Sequence, residues 1–521
     1  MRRLFILTIL SSFLSGPAWA QGVVHFTIDA QKDVKPISRL IYGVNQPINS
    51  TWANATFVRF GGNRTTAYNW ITNASNAGND YQFQNDDFFP GTTPGAPIAA
   101  MLKNAYDHNA AALITVPING YVSADENRDG DVHKSGPDYL QTRFHREAPA
   151  KGAPFTLTPD PNAPVVYQDE FVNWVRTNYP YGQTDPNRPI FFVLDNEPDI
   201  WAETHAEVHP AKTTYAELVQ KTIAYATAIK NVEPEALIFG PANYGWNGYV
   251  SLQDAPDSNG RDFQVFYLQQ LAQAGAAAGK RLLDVLDVHF YPEATGGGVR
   301  VITEKSKPDI IAARLQAPRS LWDPTYLETS WITQKWHKPL DVIPTLQRKI
   351  AENYPGTKLS ISEYNYGGGG DISGGIAEAD VLGIFGRTGV YSANEWPGPS
   401  AEPYVAGGFE MYRNFDGKNG WFGDTSIFAA TDDAPDTSVY ASLDSSDPKR
   451  MVIVAINKTD HPITANLQLD NSKPFAIGNV HQLTRSSRRP VNAGQISLKD
   501  PSGFSYTMPA YSVSTINLVA P

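Results

Sequence analysis

The chain has 521 residues, 41% of them hydrophobic and 18% charged, with 53 acidic against 42 basic side chains and a net charge of −11. That length suggests about three domains, or one large barrel with a smaller unit, and the apolar content excludes global disorder. The acidic balance excludes a nucleic-acid partner and disfavours adhesion to anionic membranes, while the absence of cysteine excludes disulfides, thiolate metal sites and a cysteine nucleophile.

Residues 1–20 read as an export leader. Arg2 and Arg3 form a charged start, residues 4–14 are apolar but too short to span a bilayer, and Ala18-Trp19-Ala20 is a small-x-small cleavage site. The expected product is secreted or periplasmic, begins at Gln21 and has no membrane partner after cleavage. An uncleaved anchor and twin-arginine export are the competing readings. Residues 23–30 then alternate apolar and polar in the manner of a half-buried strand.

Eight short apolar runs follow, at 41–45, 57–61, 111–118, 190–195, 236–240, 285–291, 358–364 and 391–396. Several are almost wholly apolar, as strands buried on both faces must be. Between them lie helical patterns, among them 215–232 and 262–279. Eight strand–helix units predict an α/β fold, a (β/α)8 TIM barrel. A doubly wound open sheet is the alternative, but no glycine-rich dinucleotide fingerprint supports it. Beyond about residue 432 the pattern changes to short alternating runs at 437–443, 450–457, 463–469, 479–484 and 512–519, separated by turn residues. These predict a second, smaller antiparallel β-sandwich domain. The expected organisation is a leader at 1–20, a barrel at 38–425, and a discontinuous sandwich built from 21–37 and 426–521.

Barrel active sites lie at the C-terminal ends of the strands. The fourth run ends in Asp195-Asn196-Glu197 and the seventh in Ser362-Glu363-Tyr364. Two carboxylates converging across a barrel mouth suit retaining glycoside hydrolysis, with Glu197 as acid/base and Glu363 as nucleophile. Asn196 is placed to hydrogen-bond a sugar hydroxyl, and Tyr291, ending run six, to donate to Glu363. Helix-capping or salt-bridge acids are the structural alternative.

The stretches Arg59-Phe60-Gly61-Gly62-Asn63 with Tyr68-Asn69-Trp70, Leu194-Asp195-Asn196-Glu197-Pro198 with Trp201, Asp287-Val288-His289-Phe290-Tyr291-Pro292, Ser320-Leu321-Trp322-Asp323-Pro324-Thr325-Tyr326 and Ile361-Ser362-Glu363-Tyr364-Asn365 together resemble glycoside hydrolase family 44. The resemblance continues through 372–387 and spans nearly the whole chain in the family's order. It implies a (β/α)8 barrel plus β-sandwich, retaining endo-β-1,4-glucanase activity on cellulose derivatives and xyloglucan, with some action on xylan or mixed-linkage glucan, and the same acid/base and nucleophile, Glu197 and Glu363. Phe60 stands where the family often has tryptophan, which shrinks one stacking face.

Sugar rings present apolar C–H faces, so a polysaccharide cleft needs aromatic platforms. Phe60, Trp70, Trp331, Trp336 and Trp396 are the candidates, with Asn45, Arg59 and Asn63 as polar partners that bind hydroxyls or orient the acids. Trp331 and Trp336 fall in a stretch that resembles a substrate-lining region of the family. No cofactor is expected for catalysis. The turn Asp125-Glu126-Asn127-Arg128-Asp129-Gly130 opens like a calcium loop, with Asp125, Asn127 and Asp129 as candidate ligands for a structural Ca2+, although Gly136 stands where the closing bidentate glutamate belongs. His205 and His209 suggest a zinc pair without the HExxH order. The expected partner is a β-glucan polysaccharide or oligosaccharide, and the protein is expected to act as a monomer. The alternative function is a non-catalytic glucan-binding protein on the same barrel.

Overall fold

Each of the eight apolar runs becomes a strand of one closed, all-parallel barrel in this computed structural model, which describes residues 22–398 and 401–521. The leader read at 1–20 lies outside the described residues. In chain order the barrel strands are Gly43–Val44, Phe57–Phe60, Ala111–Val116, Ile190–Leu194, Ile238–Asn243, Val285–Phe290, Lys358–Tyr364 and Ser392–Glu395. The eighth pairs with the first, Asn394 opposite Gly43, and closes the ring. Strands three and four are buried at every position, because barrel side chains fill one face and helices cover the other.

The outer helices start and stop where local chemistry dictates. Tyr215–Val232 begins after Thr214, whose hydroxyl accepts the Glu217 N–H at 3.0 Å. Phe263–Ala278 begins after Asp262, which accepts the Val265 N–H at 3.1 Å, and ends at Gly279 with φ of 64°. Two features differ from the sequence expectation. No α-helix joins the first two strands; residues 45–56 form a loop whose Trp52 packs edge-on against Phe409 of the helix Pro403–Arg413 at 5.2 Å. The fifth strand also runs later than the run at 236–240. It continues through Pro241 with a register shift between Pro241 and Asn243, and proline masks that continuation in the sequence.

The second domain is one continuous sheet that curls over its own core. Phe26, Ile28, Ile453, Leu467, Met508 and Ile516 fill the space between its two halves. Strand Gly22–Asp29 lies between Thr425–Thr431 and Ile463–Asp470. Its pairing with Ile463–Asp470 is parallel, where the sequence pattern predicts antiparallel neighbours throughout. Strand Ser487–Ser497 escapes the sequence pattern because it is exposed nearly along its length and carries no apolar period.

Helix Ile372–Thr388, between strands seven and eight, is buried almost from end to end because the barrel lies on one side of it and the curled sheet on the other. Asp380 on this helix pairs with Lys458 of the sheet domain at 2.8 Å and accepts the Tyr440 hydroxyl at 2.6 Å. Both charged side chains are almost fully enclosed. Removing one member of a buried pair leaves the other charge uncompensated. Lys458→Met is expected to destabilise the protein by about 3–5 kcal/mol, read from urea unfolding, and the double change with Asp380→Asn should recover part of that loss.

Candidate active site

The turn after strand four is held in an unusual backbone shape. Asp195 and Glu197 both have positive φ, 62° and 47°, a conformation that costs non-glycine residues free energy and persists only where its surroundings enforce it. Here the enclosed Asp195 carboxylate accepts from Thr66 Oγ1 at 2.7 Å, Ile118 N at 2.7 Å and Asn196 N at 2.8 Å. The Asn196 carbonyl receives the Trp201 indole N–H at 3.2 Å, and Glu197 N donates to Ala242 O at 3.1 Å. Five hydrogen bonds pin the turn, four of them to other parts of the chain, and the Glu197 side chain emerges onto the C-terminal face of the barrel.

Glu363, in strand seven, faces it. Its Oε1 accepts from Arg59 Nη1 at 2.6 Å and its Oε2 from the Tyr291 hydroxyl at 2.8 Å. Burial together with Glu363 and Glu197 pushes the Tyr291 phenol well above its ordinary pKa, so it stays a donor. Arg59 has no exposed side-chain surface. Its Nη1 also reaches Asn45 Oδ1 at 3.1 Å, and its Nη2 reaches Asn196 Oδ1 at 2.8 Å. One guanidinium therefore sets Glu363 and Asn196 together, and leaves the Asn196 N–H groups free to donate to a ligand.

His289 bridges the two acids. Its Nδ1 lies 2.8 Å from Glu197 Oε1 and 3.5 Å from Glu363 Oε2, and its Nε2 lies 3.4 Å from Arg59 Nη2. Arginine can only donate, so Nε2 accepts and the proton sits on Nδ1, directed at Glu197. Burial lowers the His289 pKa to about 4, so the ring is neutral at ordinary pH. Burial pushes Glu197 up to about 7, with Arg59 opposing and Asp80 adding to the shift. Oxygens of the two carboxylates and a nitrogen of His289 lie within 4.8 Å of one another.

The glycine pair at 61–62 follows from this packing. A Cβ on Gly61 would meet the Arg59 guanidinium at 2.3 Å, and one on Gly62 would meet the Trp396 ring at 2.5 Å. Trp396, half-buried, thus lies close against the Gly62 backbone. A cavity of about 220 Å3 opens beside Glu197, walled by Tyr244, Trp246, Tyr291, Arg300 and Trp331. Trp331 keeps 38% of its surface exposed. Trp336 stands behind the wall, with its ring 6.1 Å from Trp246 and 6.0 Å from Trp331.

Other expected ligand residues are placed elsewhere or committed to protein. Trp70 is 1% exposed and stacks on Phe171 in the core, so it is no platform. Phe60 is 9% exposed and packs against Tyr68 and Phe89. Asn45 spends its Nδ2 on the carbonyls of Ser362, Asn394 and Glu395 and its Oδ1 on Arg59, stapling strands together rather than meeting sugar. Asn63 donates to Ala77 O at 3.2 Å. The calcium expectation does not fit its residues. Arg143 holds both oxygens of Asp125, at 2.7 and 2.9 Å, and reaches Asp129 at 2.7 Å, so a guanidinium supplies the positive charge, while Asn127 is exposed. The zinc pair fails too. Both His205 nitrogens are taken, by Glu207 and by the Asn63 carbonyl.

Sequence reasoning assigns no role to His289, Tyr244 or Trp246. For His289 the signal is present, since residues 289 and 291 share one face of a strand by its two-residue period. For Tyr244 and Trp246 it is not, because the fifth strand extends past its apparent end.

A closed parallel barrel with two carboxylates across its mouth and an aromatic-walled cleft defines a glycoside hydrolase. The sequence profile of glycoside hydrolase family 44 matches residues 74–294. Endoglucanase A from Paenibacillus lautus is 42% identical over 517 residues, covering 96% of this chain and 73% of that protein. Among solved structures, a family 44 endoglucanase from Clostridium thermocellum superposes with a TM-score of 0.90 at 43% identity, covering 96% of this chain and all of that one. A Paenibacillus polymyxa family 44 xyloglucanase, solved with xyloglucan, gives 0.91 at 39% identity with the same coverage. The chain belongs to glycoside hydrolase family 44.

The two kinds of tryptophan separate in experiment. Trp70→Ala is expected to destabilise the fold by about 3–5 kcal/mol. Trp331→Ala should change stability by less than about 0.5 kcal/mol and instead raise KM for a glucan substrate. Thermal unfolding and steady-state kinetics on both variants check this.

Proposed function

We propose that this protein is a secreted endo-acting hydrolase of β-1,4-glucan backbones that retains anomeric configuration by double displacement. The observation that carries the reading is the approach of the Glu197 and Glu363 oxygens to within 4.8 Å. Retaining glycosidases hold their carboxyl groups about 5–5.5 Å apart, whereas inverting ones need about 6.5–9.5 Å to admit a water.

Glu197 is the acid/base. With its pKa near 7 it holds a proton that the glycosidic oxygen can take as the bond breaks. The His289 Nδ1–H stabilises the carboxylate left behind. Glu363, oriented by Arg59 and Tyr291, attacks the anomeric carbon and forms a glycosyl-enzyme. Glu197 then draws a proton from water, which hydrolyses that ester. Asn196, fixed through its oxygen by Arg59, donates to the sugar 2-hydroxyl, a contact that strengthens in the transition state. Trp331, Trp246 and Tyr244 supply stacking faces for the chain on the Glu197 side, and Trp396 on the Arg59 side.

Soluble cellulose and xyloglucan are the proposed substrates, with xylan or mixed-linkage glucan as weaker ones. The endoglucanase and xyloglucanase names of the relatives support this. Export rests on the leader-like pattern of residues 1–20. No helix of the described residues is long and apolar enough to cross a membrane.

Three results test the mechanism. Glu363→Gln should lower kcat by on the order of 10^4-fold while oligosaccharide binding persists; full loss of binding, or a wild type that binds glucan without cleaving it, would sink the assignment. The kcat/KM profile should fall on its basic side with a midpoint near pH 7 as Glu197 loses its proton, and Glu197→Gln should remove that limb. Early products followed by NMR should keep the β anomer; the α anomer would contradict the roles of Glu197 and Glu363.

A further inference from the structure

One unexplained feature lies away from the cleft, toward the C-terminal end of helix Ile372–Thr388. A cavity of about 340 Å3 sits where helix Ile372–Thr388 meets the curled sheet. Its lining includes Trp322, Arg387, Phe428, Tyr440, Lys35 and Asp33. The helix leaves the catalytic mouth after strand seven, and Arg387 stands fifteen residues beyond Ile372. At 1.5 Å per residue that is roughly 22 Å along the axis, so the cavity is separate from the Glu197–Glu363 site.

Arg387 is half-buried and lacks the polar partners that three enclosed arginines have. Arg59 is paired with Glu363, Arg143 with Asp125, and Arg314 donates to the carbonyls of Val301, Thr303 and Tyr366. The Arg387 Nη2 is buried and has no hydrogen-bond partner among the described residues. Its guanidinium lies 4.2 Å from the Trp322 ring centroid and 5.3 Å from that of Tyr440. Stacking orients the fork but satisfies none of its donors. Lys35 also lines the cavity and makes no ion pair among the described residues. Two cations without an ion-pair partner among the described residues therefore share one pocket with a single acid, Asp33, in a protein whose net charge is −11.

We propose that this cavity is a second ligand site, built for a single sugar ring that bears a carboxylate, a hexuronic acid unit. The carboxylate takes the Arg387 fork, which matches its geometry, with Lys35 as a second positive charge. The ring lies on the Trp322 and Phe428 walls, which contact its C–H faces. The volume is at the small end of ligand pockets, about 300–1,000 Å3, and admits one ring rather than a chain. The same oxyanion chemistry also occurs in free acetate and phosphate, which lack the ring; neutral glucose has the ring and lacks the charge.

Calorimetric titration of the full chain with glucuronate, glucose, acetate and phosphate separates these sources. Glucuronate should bind at least tenfold more tightly than glucose, acetate or phosphate, and its affinity should fall as salt is raised. Arg387→Met should weaken glucuronate at least tenfold and leave glucan hydrolysis within twofold of wild type. Unchanged affinity in Arg387→Met would put the sugar in the catalytic cleft and overturn the proposal. Acetate or phosphate binding as tightly as glucuronate would reduce the cavity to an oxyanion site and overturn the sugar assignment. If Arg387→Met fails to fold, Lys35→Met, at a half-buried position, should still weaken glucuronate severalfold; no weakening there overturns the proposal as well.

Discussion

The guanidinium of Arg59 is the contact on which the catalytic face depends. It rises from strand two into the barrel mouth with no exposed surface and touches Asn45 after strand one, Asn196 after strand four and Glu363 in strand seven. A charge so enclosed is costly unless it is paired and hydrogen-bonded, and the Glu363 carboxylate answers it. The pair fixes the direction of one carboxylate and the amide beside the other. It also explains a local sequence feature that has no other evident cause, since the arginine folds back over Gly61 where any Cβ would collide with it. Electrostatic preorganisation of this kind acts without reorganisation during the reaction.

The two acids are chemically identical and differ only in surroundings. Glu363 meets a cation and a phenol. Glu197 meets a neutral imidazole, and burial pushes its pKa up to about 7. His289 can take that part only because burial keeps it uncharged. A protonated imidazole there would draw the proton away from Glu197 and compete with Arg59 for space in one field. Environment alone thus divides the proposed roles.

The sheet domain is joined to the barrel by an apolar core, in which Val452, Val454, Ile456, Leu483 and Val513 cluster with the barrel helices, and by a few enclosed polar side chains. Asp380, Lys458 and Tyr440 make the polar part of the joint, against the same helix that begins at the catalytic mouth and carries Arg387 in its last turn. Such pairs favour one docking geometry over many, because any displacement strands a charge. The helix is accordingly hydrophobic nearly all round, and its glycines mark close approaches; a Cβ on Gly383 would meet the Tyr440 ring at 2.3 Å.

Much of this was legible along the chain. Apolar runs that need covering on two faces announce a parallel sheet whatever their neighbours, so eight strands and the alternating C-terminal domain could be read from periodicity. Acids at the ends of strands four and seven could be read from the barrel rule. What the chain order could not supply was which polar side chains spend their hydrogen bonds on protein. Asn45, Trp70, Asp125 and Asp129 have the right residue types for ligand binding, yet Arg59, Phe171 and Arg143 reach them first. Those partners are brought close only by barrel closure and loop packing, which linear spacing does not encode. Local composition therefore determined the architecture and the two carboxylates proposed to react; the tertiary structure decided their surroundings and their partners, because desolvation and the direction of a hydrogen bond exist only once distant segments meet.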